Sequence, residues 1–86
     1  MEDWFVYVIV NPKGLLYTGC CKGEAERRLA EHNAGAGAKF TRGRGPWRLV
    51  HREGPFPDRG AAQSREIRLK ADRAFKAALR GKIADS

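Results

Sequence analysis

Trp4 to Val10 (WFVYVIV) is an unbroken run of aromatic and β-branched residues, the pattern of a strand covered on both faces. A second strand-like run, Leu15 to Cys20, follows after Asn11-Pro12-Lys13-Gly14. The connecting residues set the pairing. Asn11 suits the first position of a type I turn, Pro12 the second, and Gly14 the left-handed residue that closes a three-residue hairpin loop. That loop pairs Asn11 with Leu15, hence Ile9 with Tyr17 and Tyr7 with Gly19. It puts Tyr7 and Tyr17 on one face as diagonal neighbours, about 7 Å apart at the backbone. A loop one residue shorter or longer would place them on opposite faces.

Polar and apolar positions then change period. Glu24 to Asn33 carries a narrow inward stripe, Ala25 and Leu29, and reads as a short helix closed by Asn33-Ala34-Gly35. Arg28 and His32, four apart, lie about 40° apart around its axis and project from one face. Gly35 to Pro46 is too rich in glycine for a helix and reads as a basic loop. Trp47 to His51 reads as a short, alternating third strand. Asp58 can cap a helix that puts Ala62, Glu66 and Leu69 on one stripe. Glu66 thus interrupts an apolar face. Asp72 can cap a last helix with Phe75, Ala78 and Leu79 inward, ended by Gly81. The order β-β-α-β-α-α predicts one small α+β domain over residues 1–86, with an antiparallel sheet and a core from about residue 4 to 80.

Composition narrows the function. The 86 residues carry 17 Lys+Arg against 10 Asp+Glu, a net charge of +7. Residues 1–40 hold five basic and five acidic groups, and residues 41–86 hold twelve and five. The whole surplus lies in the second half, and a polyanionic partner, nucleic acid first, is the reading it suggests. The alternative is a merely soluble basic surface. No run approaches the roughly 18 apolar residues of a membrane span, so no membrane partner is expected. The apolar start follows two acids and does not look like a signal peptide. Cys20 and Cys21 are adjacent, a spacing unsuited to a disulfide between them or to a structural zinc site. Reduced thiols and a cytoplasmic location are the economical expectation.

Val6-Tyr7-Val8, Tyr17-Thr18-Gly19, the phrase Glu26 to Gly35, the phrase Gly37 to Pro46, and Arg65-Glu66 ahead of Lys70 stand in an ordered set covering about residues 4–80. Together they resemble the GIY-YIG nuclease superfamily, above all its small stand-alone bacterial members. The first motif departs from the family's name, with no Gly or Ile beside Tyr7, and the chain has no asparagine after Asn33, where some branches carry one near the site. The resemblance implies a three-stranded antiparallel sheet flanked by helices. It implies a phosphodiesterase using one divalent metal, Mg²⁺ or Mn²⁺, on nucleic acid, with DNA favoured over RNA. In that scheme Tyr7 and Tyr17 approach the scissile phosphate and one helps activate water. Arg28 steadies the phosphate, and Glu66 binds the metal. His32 stands where several branches carry His or Tyr, a position for base or phosphate-contact work. Many relatives carry a separate DNA-binding domain, so a protein partner supplying specificity belongs to the expectation.

The residue types suit the chemistry. A guanidinium stabilises charge on phosphoryl oxygens bidentately, and a cation held by a carboxylate assists the leaving oxygen and can acidify its own water. Tyrosine, with a reference pKa near 10, is a poor base unless a neighbour changes it. Lys39, Arg42 and Arg44 in the basic loop, and Lys22 after Tyr17-Thr18-Gly19, are candidate phosphate contacts. Phe40 can stack on a base, and Trp47 reads as core. Each residue also has a plainer reading. Tyr7 and Tyr17 can be core aromatics with a polar tip, Arg28 can pair with Glu24, and Glu66 can pair with a nearby arginine, although Arg65 and Arg68 lie off its stripe. A cysteine nucleophile served by His32 is the remaining chemistry. A nucleic-acid-binding module or accessory subunit with little turnover is the alternative function.

Overall fold

A computed structural model describes residues 3–84. The chain forms β1 (Trp4–Val10), β2 (Leu16–Lys22), α1 (Ala25–Asn33), a single 3-10 turn (Lys39–Thr41), β3 (Arg48–Phe56), α2 (Arg59–Ala71) and α3 (Arg73–Ala84). The three strands make one antiparallel sheet in the order β2-β1-β3. Being central explains the unbroken apolar run of β1, since both its faces are covered. On one face Tyr7 and Ile9 pack with Cys21, Ala25 and Trp47 under α1. On the other, Val6 packs with Ala62 and Leu69 under α2.

The hairpin register is the one that the turn residues dictate. Tyr7 faces Gly19 and Ile9 faces Tyr17, the Gly14 amide donates to the Asn11 carbonyl at 3.0 Å, and Gly14 takes a φ of +84°. The Asn11 side chain strengthens the turn, accepting from the amides of Lys13 and Leu15. The α1 helix ends in a Schellman motif. Gly35 is left-handed, and the amides of Gly35 and Ala36 donate back to His32 and Glu31. The Asp58 carboxylate caps α2 through the Ala61 amide, and Asp72 caps α3 through the Phe75 amide.

Three expectations need correction. The third strand does not stop at His51 but runs to Phe56. Gly54 and Pro55 break the sequence pattern, yet β3 is an edge strand, where a missing amide and an irregular backbone are tolerated. Its polar residues are tied across the fold, with Arg65 bidentate on Glu53 and Arg52 on Glu26. In α3, Gly81 does not end the helix, and Ala78 faces solvent. The inward stripe is Phe75, Leu79 and Ile83 at i, i+4, i+8, and Ala78 falls off its side. The glycine-rich segment is pinned to the rest of the fold. Asn11 donates to the Arg44 carbonyl, Asn33 brackets the Trp47 backbone with both its side-chain atoms, and the Trp47 indole donates to the Thr41 carbonyl. Among the described residues no helix is long and apolar enough to cross a membrane.

Candidate active site

Four of the residues singled out in the sequence meet on the α1 face. Tyr7, 1% exposed, sends its ring across the hairpin over Gly19. A Cβ on Gly19 would lie 2.6 Å from the Tyr7 hydroxyl and 2.8 Å from the ring carbon bearing it. The third residue of Tyr17-Thr18-Gly19 is therefore glycine for want of space, independently of chemistry. His32 descends from α1 and is 2% exposed. Its Nε2 lies 2.8 Å from the Tyr7 hydroxyl and its Nδ1 lies 2.7 Å from the Thr41 hydroxyl. Tyr17 sets its ring edge-on to His32, with centroids 5.1 Å apart. Gly37 passes so close to the imidazole that no side chain could stand there.

The direction of these hydrogen bonds follows from counting protons. Thr41 has one hydroxyl hydrogen, and it is donated to the Ala38 carbonyl at 2.9 Å. Towards His32 the Thr41 oxygen can then only accept, so Nδ1 carries the imidazole proton. Nε2 of neutral His32 is left as an acceptor, and Tyr7 donates to it. The result is a directed chain from Tyr7 through His32 and Thr41 to the Ala38 carbonyl. Its electrostatics agree. Burial, and secondarily the charge of Arg28, hold the His32 pKa below its ordinary value. Burial pushes the Tyr7 hydroxyl up to about 12, against an opposing pull from hydrogen bonding and charge of Arg28. At neutral pH the pair therefore rests as a protonated phenol beside a neutral imidazole.

Arg28 bears on the Tyr7 hydroxyl and also donates to Glu31 at 2.8 Å. Its side chain is 30% exposed and that of Glu31 is 44% exposed. An ion pair this open to water is weak, so Arg28 can exchange Glu31 for another anion at little cost. Phe40, 44% exposed, stacks on Tyr17 with centroids 5.9 Å apart, and the Arg44 guanidinium sits 5.1 Å above the Phe40 ring. Lys39 and Arg42 are exposed on the same pinned segment. Lys22 lies at the far end of β2, opposite Trp4. With both ring nitrogens of His32 engaged, no thiol is served by it. Cys21 is buried and directs its thiol to the Gly23 carbonyl, and Cys20 faces α2.

Glu66 comes from a different helix, and its partner Lys70 reaches the cleft that Tyr17 lines. Glu66 lies on α2, beyond the opposite face of the sheet, beside the Cys20 thiol, whose pKa burial and then Glu66 push up to about 11. Its Oε2 meets the Lys70 ammonium at 2.8 Å, one helical turn on. Reading the sequence had weighed Arg65 and Arg68 as partners and overlooked this lysine at i+4. The carboxylate is a hard oxygen donor, which suits Mg²⁺ or Mn²⁺. No group of three or more His, Cys, Asp or Glu able to hold a metal occurs among the described residues. A cation there would have Glu66 as its single protein anchor and would take the place of the Lys70 ammonium. Thr41, Gly37 and Lys70 all stand in the phrases that mark the family resemblance, but their contacts with His32 and Glu66 show only in the structure.

Comparison with known proteins places the chain. Residues 3–77 match the family model described as the GIY-YIG catalytic domain. A UPF0213 protein of Haloquadratum walsbyi is 50% identical over 72 residues, covering 83% of this chain and 79% of the relative. Another, from Halobacterium salinarum, is 51% identical over 75 residues, covering 86% of this chain and 95% of the relative. Among solved structures, the solution NMR structure of a UPF0213 protein from Bacillus halodurans aligns with a TM-score of 0.51 and 38% identity, over 90% of this chain and 81% of that one. With the family model spanning most of its length and close relatives at half identity, the chain belongs to the GIY-YIG catalytic domain family.

Proposed function

We propose that this chain hydrolyses phosphodiester bonds in nucleic acid, with DNA favoured. The observation that carries the reading is the directed chain from Tyr7 through His32 to Thr41, with Arg28 bearing on the same hydroxyl. A phenol with its pKa near 12 is protonated at neutral pH and cannot take a proton unaided. It can do so while its own proton passes to Nε2 of His32, whose lone pair already points at it. Water then loses a proton to the Tyr7 oxygen, Tyr7 loses one to His32, and the hydroxide attacks phosphorus. The bond from phosphorus to the leaving oxygen breaks, that oxygen departing as an alkoxide that takes a proton from solvent. Arg28 leaves Glu31 for the phosphoryl oxygens, where its planar donors offset the charge that builds up. Tyr17 packs against the imidazole. A divalent cation at Glu66 would supply charge neutralisation at the leaving oxygen.

Lys39, Arg42 and Arg44 hold the polyanion on the pinned basic segment, and Lys22 is a more remote contact. A separate protein partner supplying specificity, and a cytoplasmic setting, remain part of this reading. The Lys70 ammonium already held by Glu66, the carboxylate a metal would need, favours a second reading. In it the fold binds nucleic acid with little turnover of its own. A cleavage panel with Mg²⁺ or Mn²⁺ on single-stranded, duplex and branched DNA and on RNA separates the two. Cutting by the wild type that is lost in Glu66→Ala and Arg28→Ala, with binding retained, supports the nuclease. Equal cutting by the wild type and both variants would overturn the site assignment.

A further inference from the structure

Tyr17 belongs to two places at once. Its ring meets His32 and also lines a cleft at β2, shared with Leu16, Phe40, Lys70, Lys76 and Arg80. The last two come from α3, whose residues Arg73–Ala84 include four cations and no acid. Lys76 and Arg80 stand four apart, so they project from the same side of the helix. Like charges at that spacing repel, and among the described residues neither has an ion-pair partner to relieve it. Across the cleft stands Phe40, an exposed aromatic beside the Arg44 guanidinium. Exposed aromatic surface facing a concentrated positive charge is the equipment for a base and a phosphate together.

We propose that this cleft is a nucleotide subsite next to the reacting phosphodiester, taking a phosphate on Lys76 and Arg80 and the attached base on Phe40, where the Arg44 guanidinium now lies. The proposal deepens the nuclease reading and rests on it for the position of the reacting bond. It adds α3 to the binding surface and gives the charge surplus of the second half of the chain a defined use. Tyr17 joins the two places, so a strand passing from Arg28 into the cleft crosses its ring.

The test is binding measured apart from cleavage, with a fluorescein-labelled oligothymidylate, in EDTA, followed by anisotropy across a salt series. Lys76→Ala with Arg80→Ala is expected to weaken binding by about tenfold and to lower the salt slope by roughly 1.4, two phosphates at the single-strand value. Lys82→Ala, on α3 but outside the cleft, serves as the control. Melting curves check the fold of each variant, and Phe40→Trp gives a direct signal, since stacking of a base should quench its fluorescence. Cleft variants that bind with the affinity and slope of Lys82→Ala would overturn the proposal, even if the wild type cuts DNA. Labelled polyglutamate bound as tightly as the oligonucleotide, with no quenching by the oligonucleotide, would also overturn it in favour of an acidic peptide. If the wild type binds through the cleft and cuts nothing, the subsite stands and the nuclease reading fails.

Discussion

On the α1 face, Tyr7, His32 and Thr41 are each at most 2% exposed and satisfy one another's hydrogen bonds without water. On the α2 face, Glu66 meets Lys70 at 2.8 Å with the lysine side chain 52% exposed. Both are polar arrangements beside a small apolar core, yet they behave differently. Buried donors and acceptors must be matched one for one, because an unpaired one loses its hydration with no return; among the described residues no buried side-chain nitrogen or oxygen lacks a partner. The first face is therefore fixed in tautomer and geometry. The second is open on the lysine side, where water replaces the ammonium when it leaves, while the Glu66 side chain is 18% exposed. A site that orients a proton belongs on the first kind of face, and one that takes and releases a cation belongs on the second.

The largest expected effect comes from breaking the buried chain in its middle. His32→Ala should lower any cleavage rate by about 10²–10⁴, the usual worth of a positioned acid–base group, in a single-turnover assay. An unchanged rate would make His32 a packing residue and the two faces alike. Gly19→Ala should cost about 1–3 kcal/mol in a urea melt, because the new methyl meets buried Tyr7. Thr41→Val should destabilise by about 1–3 kcal/mol by leaving Nδ1 of His32 without an acceptor. Its sharper readout is the ¹⁵N spectrum of His32, which should lose its Nδ1–H tautomer preference and regain it in Thr41→Ser.

A pH series tests the same face without altering which groups line the buried chain. The folded pKa of His32 is depressed, so the unfolded chain binds the proton more readily. His32 therefore contributes stability above its unfolded value, about 6.5, and that stability is lost as pH falls through the window down to the folded pKa. Wild type should lose stability there, and His32→Gln should show a flatter profile over the same window. The smallest effect belongs to the open face. Lys70→Met should change stability by less than about 1 kcal/mol, whereas a loss of several kcal/mol would mean that the Glu66 pair is as locked as the buried chain.

Local patterns carried much of the fold. Asn11, Pro12 and Gly14 set the loop length, and with it the register that puts Tyr7 and Tyr17 on one face. The Schellman end at Gly35 and the caps at Asp58 and Asp72 were equally legible, since each involves residues within one helical turn. The end of β3 was not, because Gly54 and Pro55 interrupt the strand pattern until the edge position of that strand is known. Ala78 and Gly81 misled for a related reason. The face that α3 buries depends on what it packs against, and Phe75, Leu79 and Ile83 make that contact.

The sequence by itself determined the order of elements, the shared face of the tyrosines and the pairing of Arg28 with His32 on one side of α1, all of which follow from spacing. Only the tertiary structure decided that His32 would accept from Tyr7 and donate to Thr41, and that Glu66 would stand across the sheet beside Lys70. The tautomer of an imidazole depends on the one proton of a threonine nine residues on, itself committed to Ala38, and nothing in linear spacing brings those atoms within hydrogen-bonding reach. That a carboxylate and a phenol lie on opposite faces depends on which side of the sheet each helix crosses, and packing of the whole core settles it.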